Sequence, residues 1–462
     1  MEWEGRKVLV LGLGDTGLSS IRWLAKRGAQ VRAADTREAP PALGAVQAEH
    51  PHVPLALGAF REALLEGVDT VVASPGVALR EPVLRAALER GIEVVGDVEI
   101  FARELARRGD RARVLGVTGT NGKSSVTALA RDMAHAAGLR AQAVGNIGAP
   151  VLDALEEAAE LYIIELSSYQ LETTASLALD AGTVLNVTQD HLDRYDSFED
   201  YAQAKARIFM DCRTRVLNRD DDVSLGMSAG GAQVLTFGLG VPANRLEWGL
   251  DVRRTRLMRG PHDLLGVDEI GIPGLHNAAN ALAAHALGSA IALPEEAMAR
   301  AIREFRGLPH RVELVAEVGG ARYYDDSKGT NVGACVAALE GFSVPVVLIA
   351  GGDGKGQDFS PLAPAVRAHA RAVVLIGRDA ATLAAALAAT GVPLVRAPTM
   401  EDAVAAAHAL ARPGDAVLLS PACASLDMFR NYGHRGDAFA AAARSLTLPL
   451  PPPKAGGEPD AL

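Results

Sequence analysis

Lys123 and Ser124 sit in 116-GVTGTNGKSSVTALA-130, where an apolar run turns through glycines into a helix-forming segment. Glycines let backbone N–H groups converge on phosphate oxygens, and a helix N-terminus adds its dipole. A lysine supplies a compact positive charge, and a serine hydroxyl can ligate Mg²⁺. Gly119, Thr120, Asn121, Gly122, Lys123, Ser124 and Ser125 are therefore candidate contacts to the phosphates of a nucleotide. The strict pattern GxxxxGK[ST] asks for glycine at 117 and the chain has Val117, so the loop is a variant.

Such a loop needs metal ligands from elsewhere. Glu165 ends the apolar run 161-LYIIE-165, and 186-NVTQDHLDRYDSFEDYAQAKARIF-209 offers Asp190, His191 and Lys205. Read alone, His191 is equally a surface residue and Lys205 an ordinary helix lysine. Lysine is scarce, however: only seven of the 46 basic residues are lysines. Arginine cannot replace a compact charge or an amine able to lose its proton. Four of the seven lie in or beside motifs of cleft type: Lys123, Lys205, Lys328 in 325-DDSKGTN-331, and Lys355 in 351-GGDGKGQD-358. The run 420-SPACASLDMFRNYGHRG-436 follows a last apolar strand and opens a helix, an anion site in principle.

A second glycine loop, 12-GLGDTG-17, spells the dinucleotide fingerprint, and Asp35 follows Gly17 by 18 residues. That is close to the roughly 20 expected of a ribose-binding acid. Three readings stay open at this point: a P-loop enzyme with a second phosphate loop, an NAD-dependent oxidoreductase, and a nucleotide-binding module without catalysis.

The elements that must position these residues alternate strand and helix. Strands are expected at 7–14, 29–35, 68–76 and 92–97, then at 114–119, 161–166 and 182–187, and finally at 344–352, 372–377 and 416–421. Short strands fill 231–274, and a helix follows at 276–293. This predicts an α/β protein of 462 residues in three units, 1–101, 102–307 and 308–448, with a Pro/Gly-rich tail at 449–462 of disordered composition. Ligands in open α/β sheets sit at the carboxyl ends of strands, where every motif above lies. The net charge of −10 argues against a broad nucleic-acid surface. Cys212, Cys335 and Cys423 lack metal spacing and read as reduced thiols of a cytoplasmic protein. Neither a signal-peptide layout nor a membrane-spanning run is found.

Together these pieces resemble the Mur ligases of peptidoglycan synthesis. TGTNGKSS at 118–125 looks like the family's ATP loop, and LNVTQDHLDRY at 185–195 and GLHNAANALAA at 274–284 look like its central signatures. GLGDTGLS at 12–19, ADTR at 34–37, SPG at 74–76, GNIG at 145–148, DDSKGTN and SPACASLDMF at 420–429 resemble the branch that adds D-glutamate. The resemblance covers about residues 7 to 445.

It implies a Rossmann-like N-terminal domain, a P-loop-type central ATPase domain with a parallel sheet, and a Rossmann-like C-terminal domain. It implies ATP and two Mg²⁺ ions as cofactors, with UDP-N-acetylmuramoyl-L-alanine and D-glutamate as substrates of a monomer. Lys123, His191 and Lys205 would be catalytic. Ser124 and Glu165 would hold one metal, and His191 and Lys205 the other, with Lys205 carbamylated. Asn277, Arg311 and Asp326 would contact ATP. Thr16, Asp35, Thr36, Arg37, Ser74, Gly76 and Asn146 would hold the UDP-sugar. Lys328, Thr330, Lys355, Ser425, Leu426 and Tyr432 would hold D-glutamate. GLGDTG would then cradle a uridine diphosphate, since a helix N-terminus binds a pyrophosphate whatever is attached to it. Two residues depart from the expected pattern: Asp15 places a carboxylate in that loop, and Tyr432 stands where phenylalanine is expected.

Overall fold

The computed structural model describes residues 3–109, 112–191, 194–228, 232–272, 274–342 and 344–446. The expected tail 449–462, and Leu192 and Asp193 of the LNVTQDHLDRY run, lie outside them. The chain divides into two compact units, Met1–Arg306 and Gly307–Leu462.

The first unit holds two sheets. β1 (Lys7–Leu11), β2 (Gln30–Asp35), β3 (Leu55–Leu57), β4 (Thr70–Ala73) and β5 (Glu93–Val95) form a parallel sheet in the order β3-β2-β1-β4-β5. KVLVL and TVVA are near-continuous apolar runs, as strands covered on both faces must be. Strand order reverses between β1 and β4, so the loops after these two strands diverge and leave a crevice at their carboxyl ends. The helix Asp15–Lys26 starts directly after β1. A Cβ on Gly17 would lie 1.9 Å from the Gly12 carbonyl oxygen, so only glycine lets this helix pack against the turn.

The second sheet has nine strands: β6 (Arg113–Thr118), β7 (Ala141–Gly145), β8 (Leu161–Glu165), β9 (Ala178–Val184), β10 (Asp211–Asn218), β11 (Gln233–Phe237), β12 (Glu247–Leu250), β13 (Arg256–Arg259) and β14 (His262–Gly266). Their order is β14-β13-β12-β11-β10-β9-β6-β8-β7, parallel except for the β12-β13-β14 ribbon. The glycine loop after β6 is thereby flanked by the ends of β8 and β9.

One hydrophobic core serves both sheets, running from Val8 and Val10 through Phe101 to Tyr162 and Leu217. The helix Asp97–Arg108, which spans residue 101, lies within it. Its Glu99 carboxylate accepts from Ala175 N, Ser176 N and Ser176 Oγ at 2.7–2.9 Å, tying the helix to the segment that leads into β9. Its Glu104 accepts from Arg107 and Arg108 at 2.7–2.8 Å.

The second unit is a six-stranded sheet of β15 (Glu313–Val318), β16 (Ala321–Asp325), β17 (Val346–Gly351), β18 (Ala370–Ile376), β19 (Leu394–Arg396) and β20 (Ala416–Leu419). The order is β15-β16-β20-β17-β18-β19, with only β15 antiparallel. Apolar clusters cover both faces, one centred on Leu348 and Leu383, the other on Ile349 and Phe439.

Arg107 holds the Glu104 carboxyl at about 2, against an ordinary 4.5, with Arg108 adding to the effect. The group's contribution to stability is complete above pH 4.5 and is lost as pH falls towards 2. Glu104→Gln should cost roughly 1–3 kcal/mol at neutral pH and flatten the acid limb of the unfolding-midpoint profile, as read by thermal unfolding across pH.

Candidate nucleotide and substrate sites

The loop after β6 ends on Gly122, which caps the helix Lys123–Ala136 at φ 85°; a Cβ there would meet Asn280 Oδ1 at 2.6 Å. The loop is clamped by the segment after β9. Asn186 accepts from Asn121 N at 2.8 Å and donates to Asn121 O at 3.1 Å, while Thr120 N donates to Asn186 O. Thr120 Oγ1 lies 3.2 Å from the Tyr201 hydroxyl. Fixed in this way, the Gly119 carbonyl accepts from two lysine side chains, Lys123 Nζ at 2.9 Å and Lys205 Nζ at 2.8 Å.

Lys205 is 2% exposed and lies 4.5 Å from the centre of the Tyr201 ring. Burial drives its pKa well below the usual lysine range; Lys123 adds to this, and Asp190 and Glu165 oppose it only in part. The amine is therefore biased toward its neutral form. Helix Phe198–Ala206, which carries Lys205, is started by Ser197 accepting from Asp200 N.

Pairing of β6 with β8 sets Glu165 level with Val117, beside the loop. Glu165 is 1% exposed, and its Oε1 accepts from Asn146 Nδ2 at 2.7 Å. Among the described residues its buried Oε2 has no hydrogen-bond partner. A buried carboxylate oxygen without a donor is costly, and a cation would satisfy it. The residues present thus fit a divalent ion at Glu165 and the buried Ser124. His191 takes a left-handed backbone (φ 57°), with Nδ1 2.6 Å from the Tyr169 hydroxyl and its ring centre 6.2 Å from that of Tyr201 in an edge arrangement. Asn277 lies in the first turn of the helix Leu275–Ala290 and accepts from Asn280 Nδ2 at 3.4 Å.

The crevice at the β1/β4 switch is a cavity of about 460 Å³. It brings together Thr16, Asp35, Thr36, Arg37, Ser74, Gly76 and Asn146, together with Asp15, Phe60 and Gln170. Asp35 accepts from Leu13 N, Arg37 N and the Arg37 guanidinium at 2.7–2.8 Å, and the arginine holds its carboxyl down at about 2. Asn146 both lines the cavity and binds Glu165, so the cavity adjoins the carboxylate beside the phosphate loop. Arg194 ties the segment after β9 to the cavity wall, donating to Pro75 O at 2.8 Å and pairing with Glu172 at 2.9 Å.

In the second unit, β16, β20 and β17 are neighbours, so the loops that follow them meet. Gln357 Nε2 donates to Ala422 O and its Oε1 accepts from Val332 N, while Ala422 N donates to Gly329 O. This places the Lys328, Thr330, Lys355 and Ser425 loops side by side. Lys328 Nζ stands 3.8 Å above the Tyr432 ring, and Leu426 is 73% exposed. Arg435, 1% exposed, joins two of these loops by donating to Ser327 and to Cys423 O. Its guanidinium is lowered to about 10 by burial. Asp326 is buried against Ser420 Oγ, which donates at 2.7 Å; burial raises its carboxyl to about 7, partly countered by Ser420 and Arg311.

Asn186, Gln170, Asn280, Gln357 and Arg435 take roles here that the motifs do not assign to them. Of these, Asn280 carried a usable signal: it stands one helical turn beyond Asn277. The clamp by Asn186 becomes visible only when β9 is placed beside β6.

Fold and site define a three-domain α/β protein with a glycine loop at a strand end in each of its first two sheets. Models of the Mur ligase MurD-like N-terminal domain, the Mur ligase middle domain and the Mur ligase glutamate ligase domain match residues 6–96, 117–288 and 310–423. The chain belongs to the Mur ligase family. It is 54% identical to a UDP-N-acetylmuramoylalanine–D-glutamate ligase of Methylobacillus flagellatus, with 96% of this chain and 98% of that one covered. A ligase of the same name from Thiobacillus denitrificans is 52% identical, with the same coverage. Among solved structures, the UDP-N-acetylmuramate–alanine ligase of Thermotoga maritima shares the fold, with TM-score 0.61 at 18% identity over 95% of this chain and 99% of that one. Family membership sets aside the oxidoreductase reading of GLGDTG. Among the described residues no helix is long and apolar enough to cross a membrane.

The raised Asp326 carboxyl has a thermodynamic consequence. Its contribution to stability is complete below pH 3.8 and is lost as pH rises through about 7. Asp326→Asn should therefore gain on the parent as pH rises, by roughly 2–4 kcal/mol at the alkaline end. Unfolding midpoints measured from acid to mildly alkaline pH would show the two profiles diverging; parallel profiles would refute the assignment.

Proposed function

We propose that this chain joins D-glutamate to UDP-N-acetylmuramoyl-L-alanine, with conversion of ATP to ADP and phosphate, in the assembly of peptidoglycan precursors in the cytoplasm. The observation that carries the reading is the surround of the phosphate loop. There, two lysines meet one carbonyl while a buried Glu165 oxygen lacks a partner among the described residues. The names of relatives about half identical over nearly the whole chain supply the amino acid.

The division of labour follows 1–101 for the UDP-sugar, 102–307 for ATP and 308–448 for the amino acid. The cavity with Thr16, Asp35, Thr36, Arg37, Ser74, Gly76 and Asn146 takes the UDP group. ATP and Mg²⁺, when bound, activate the alanyl carboxylate as an acyl phosphate, which the D-glutamate amine attacks with loss of phosphate. Gly119 to Ser125 surround the nucleotide's phosphates with the Lys123 charge and the N–H groups at the start of the helix Lys123–Ala136, the Thr120 and Asn121 N–H groups being held by Asn186, with Asn277, Arg311 and Asp326 as further ATP contacts. Ser124 and Glu165 would hold one Mg²⁺, and His191 and Lys205 a second. The neutral Lys205 amine can add CO₂ with loss of a proton, giving an anionic oxygen ligand that arginine cannot provide. Lys328, Thr330, Lys355, Ser425, Leu426 and Tyr432 would engage D-glutamate. The enzyme acts as a monomer.

Phosphate release would be followed with ATP, Mg²⁺, the UDP-linked substrate and each of D-glutamate, L-glutamate, L-lysine and meso-diaminopimelate. Release with D-glutamate alone, matched by an equimolar UDP-linked product, is expected; release with another amino acid would overturn the donor. Lys205→Arg should lower turnover by at least about 10–100-fold. Asn186→Ala should raise the KM for ATP about 10-fold or more, because the loop loses its clamp, with the KM for the UDP-linked substrate unchanged.

A further inference from the structure

We propose that Asp15 limits how tightly the β1/β4 cavity holds a diphosphate, an inference that rests on reading the cavity as the UDP site. Asp15 lines the cavity and is the first residue of the helix Asp15–Lys26. Gly14 caps that helix without a side-chain hydrogen bond, so the N–H groups of the first turn carry the positive helix end to the cavity. A diphosphate and the Asp15 carboxylate draw on the same positive end.

The other charged residues in the lining, Asp35 and Arg37, close on each other through a bidentate pair and cancel. Among the described residues Asp15 makes no hydrogen bond or ion pair, so it leaves a net negative charge in a cavity meant for an anion. Its exposure to solvent makes this opposition sensitive to salt. Substrate and product carry the same UDP group, so the carboxylate loosens both alike. This is a uniform effect on binding rather than on the chemical step.

The test is calorimetric titration of UDP and of uridine into the full chain, at low and high salt, for the parent, Asp15→Asn and Asp15→Glu. Asp15→Asn should bind UDP about 3–10-fold tighter than the parent at low salt, with the gain shrinking as salt screens the charge. Uridine, which has no phosphate, should bind both alike, and Asp15→Glu should behave as the parent. A gain that is equal for uridine, indifferent to salt, or absent would overturn the proposal while leaving the cavity as the UDP site. Failure of every form to bind UDP would overturn the cavity reading and this proposal together.

Discussion

Two lysine side chains, Lys123 and Lys205, point at one carbonyl oxygen, that of Gly119. Like charges converge on one atom only where something fixes that atom and something relieves the repulsion. The carbonyl is fixed by the Asn186 clamp on the loop and by the run of β6 between β8 and β9. The repulsion is relieved because Lys205 is buried and readily gives up its proton. The same burial that makes a lysine awkward as a cation makes it useful as an amine. Lys123 remains the group suited to facing a phosphate.

The carboxylates complete this arrangement. Glu165 gives one oxygen to Asn146 and keeps the other buried without a donor among the described residues, which suits a cation. Asn146 and Arg194 link the phosphate loop's surroundings to the cavity wall, and Glu99 anchors the helix between the first two sheets. Because the two sheets share one core, these links hold loops already set by packing rather than bridging independent bodies.

The second unit solves a similar problem without a P-loop. Three loops leave adjacent strand ends and are knitted by Gln357, by backbone bonds and by a buried guanidinium. Burial explains why Arg435 is lowered and Asp326 raised: each is held in a poor solvent for charge. Lys328 Nζ lies over the Tyr432 ring, so tyrosine in place of phenylalanine retains an aromatic face there.

The strand-turn-helix motifs were legible in the sequence because their signals are local. Glycine permits the turn, an apolar run precedes it, and a lysine or serine follows within a few residues. Scarcity made Lys205 legible as well, since composition needs no three-dimensional information. Tertiary structure decided the rest, because strand order is not written in any window of residues. Only with β8 and β9 on either side of β6 does Glu165 stand beside Val117, or Asn186 reach Asn121. The short distance from Lys205 to Gly119 O spans 86 positions of chain. Burial followed the same rule: the sequence named Asp326 and Lys205 as candidates, but the low dielectric that moves their protons comes from distant residues packed around them.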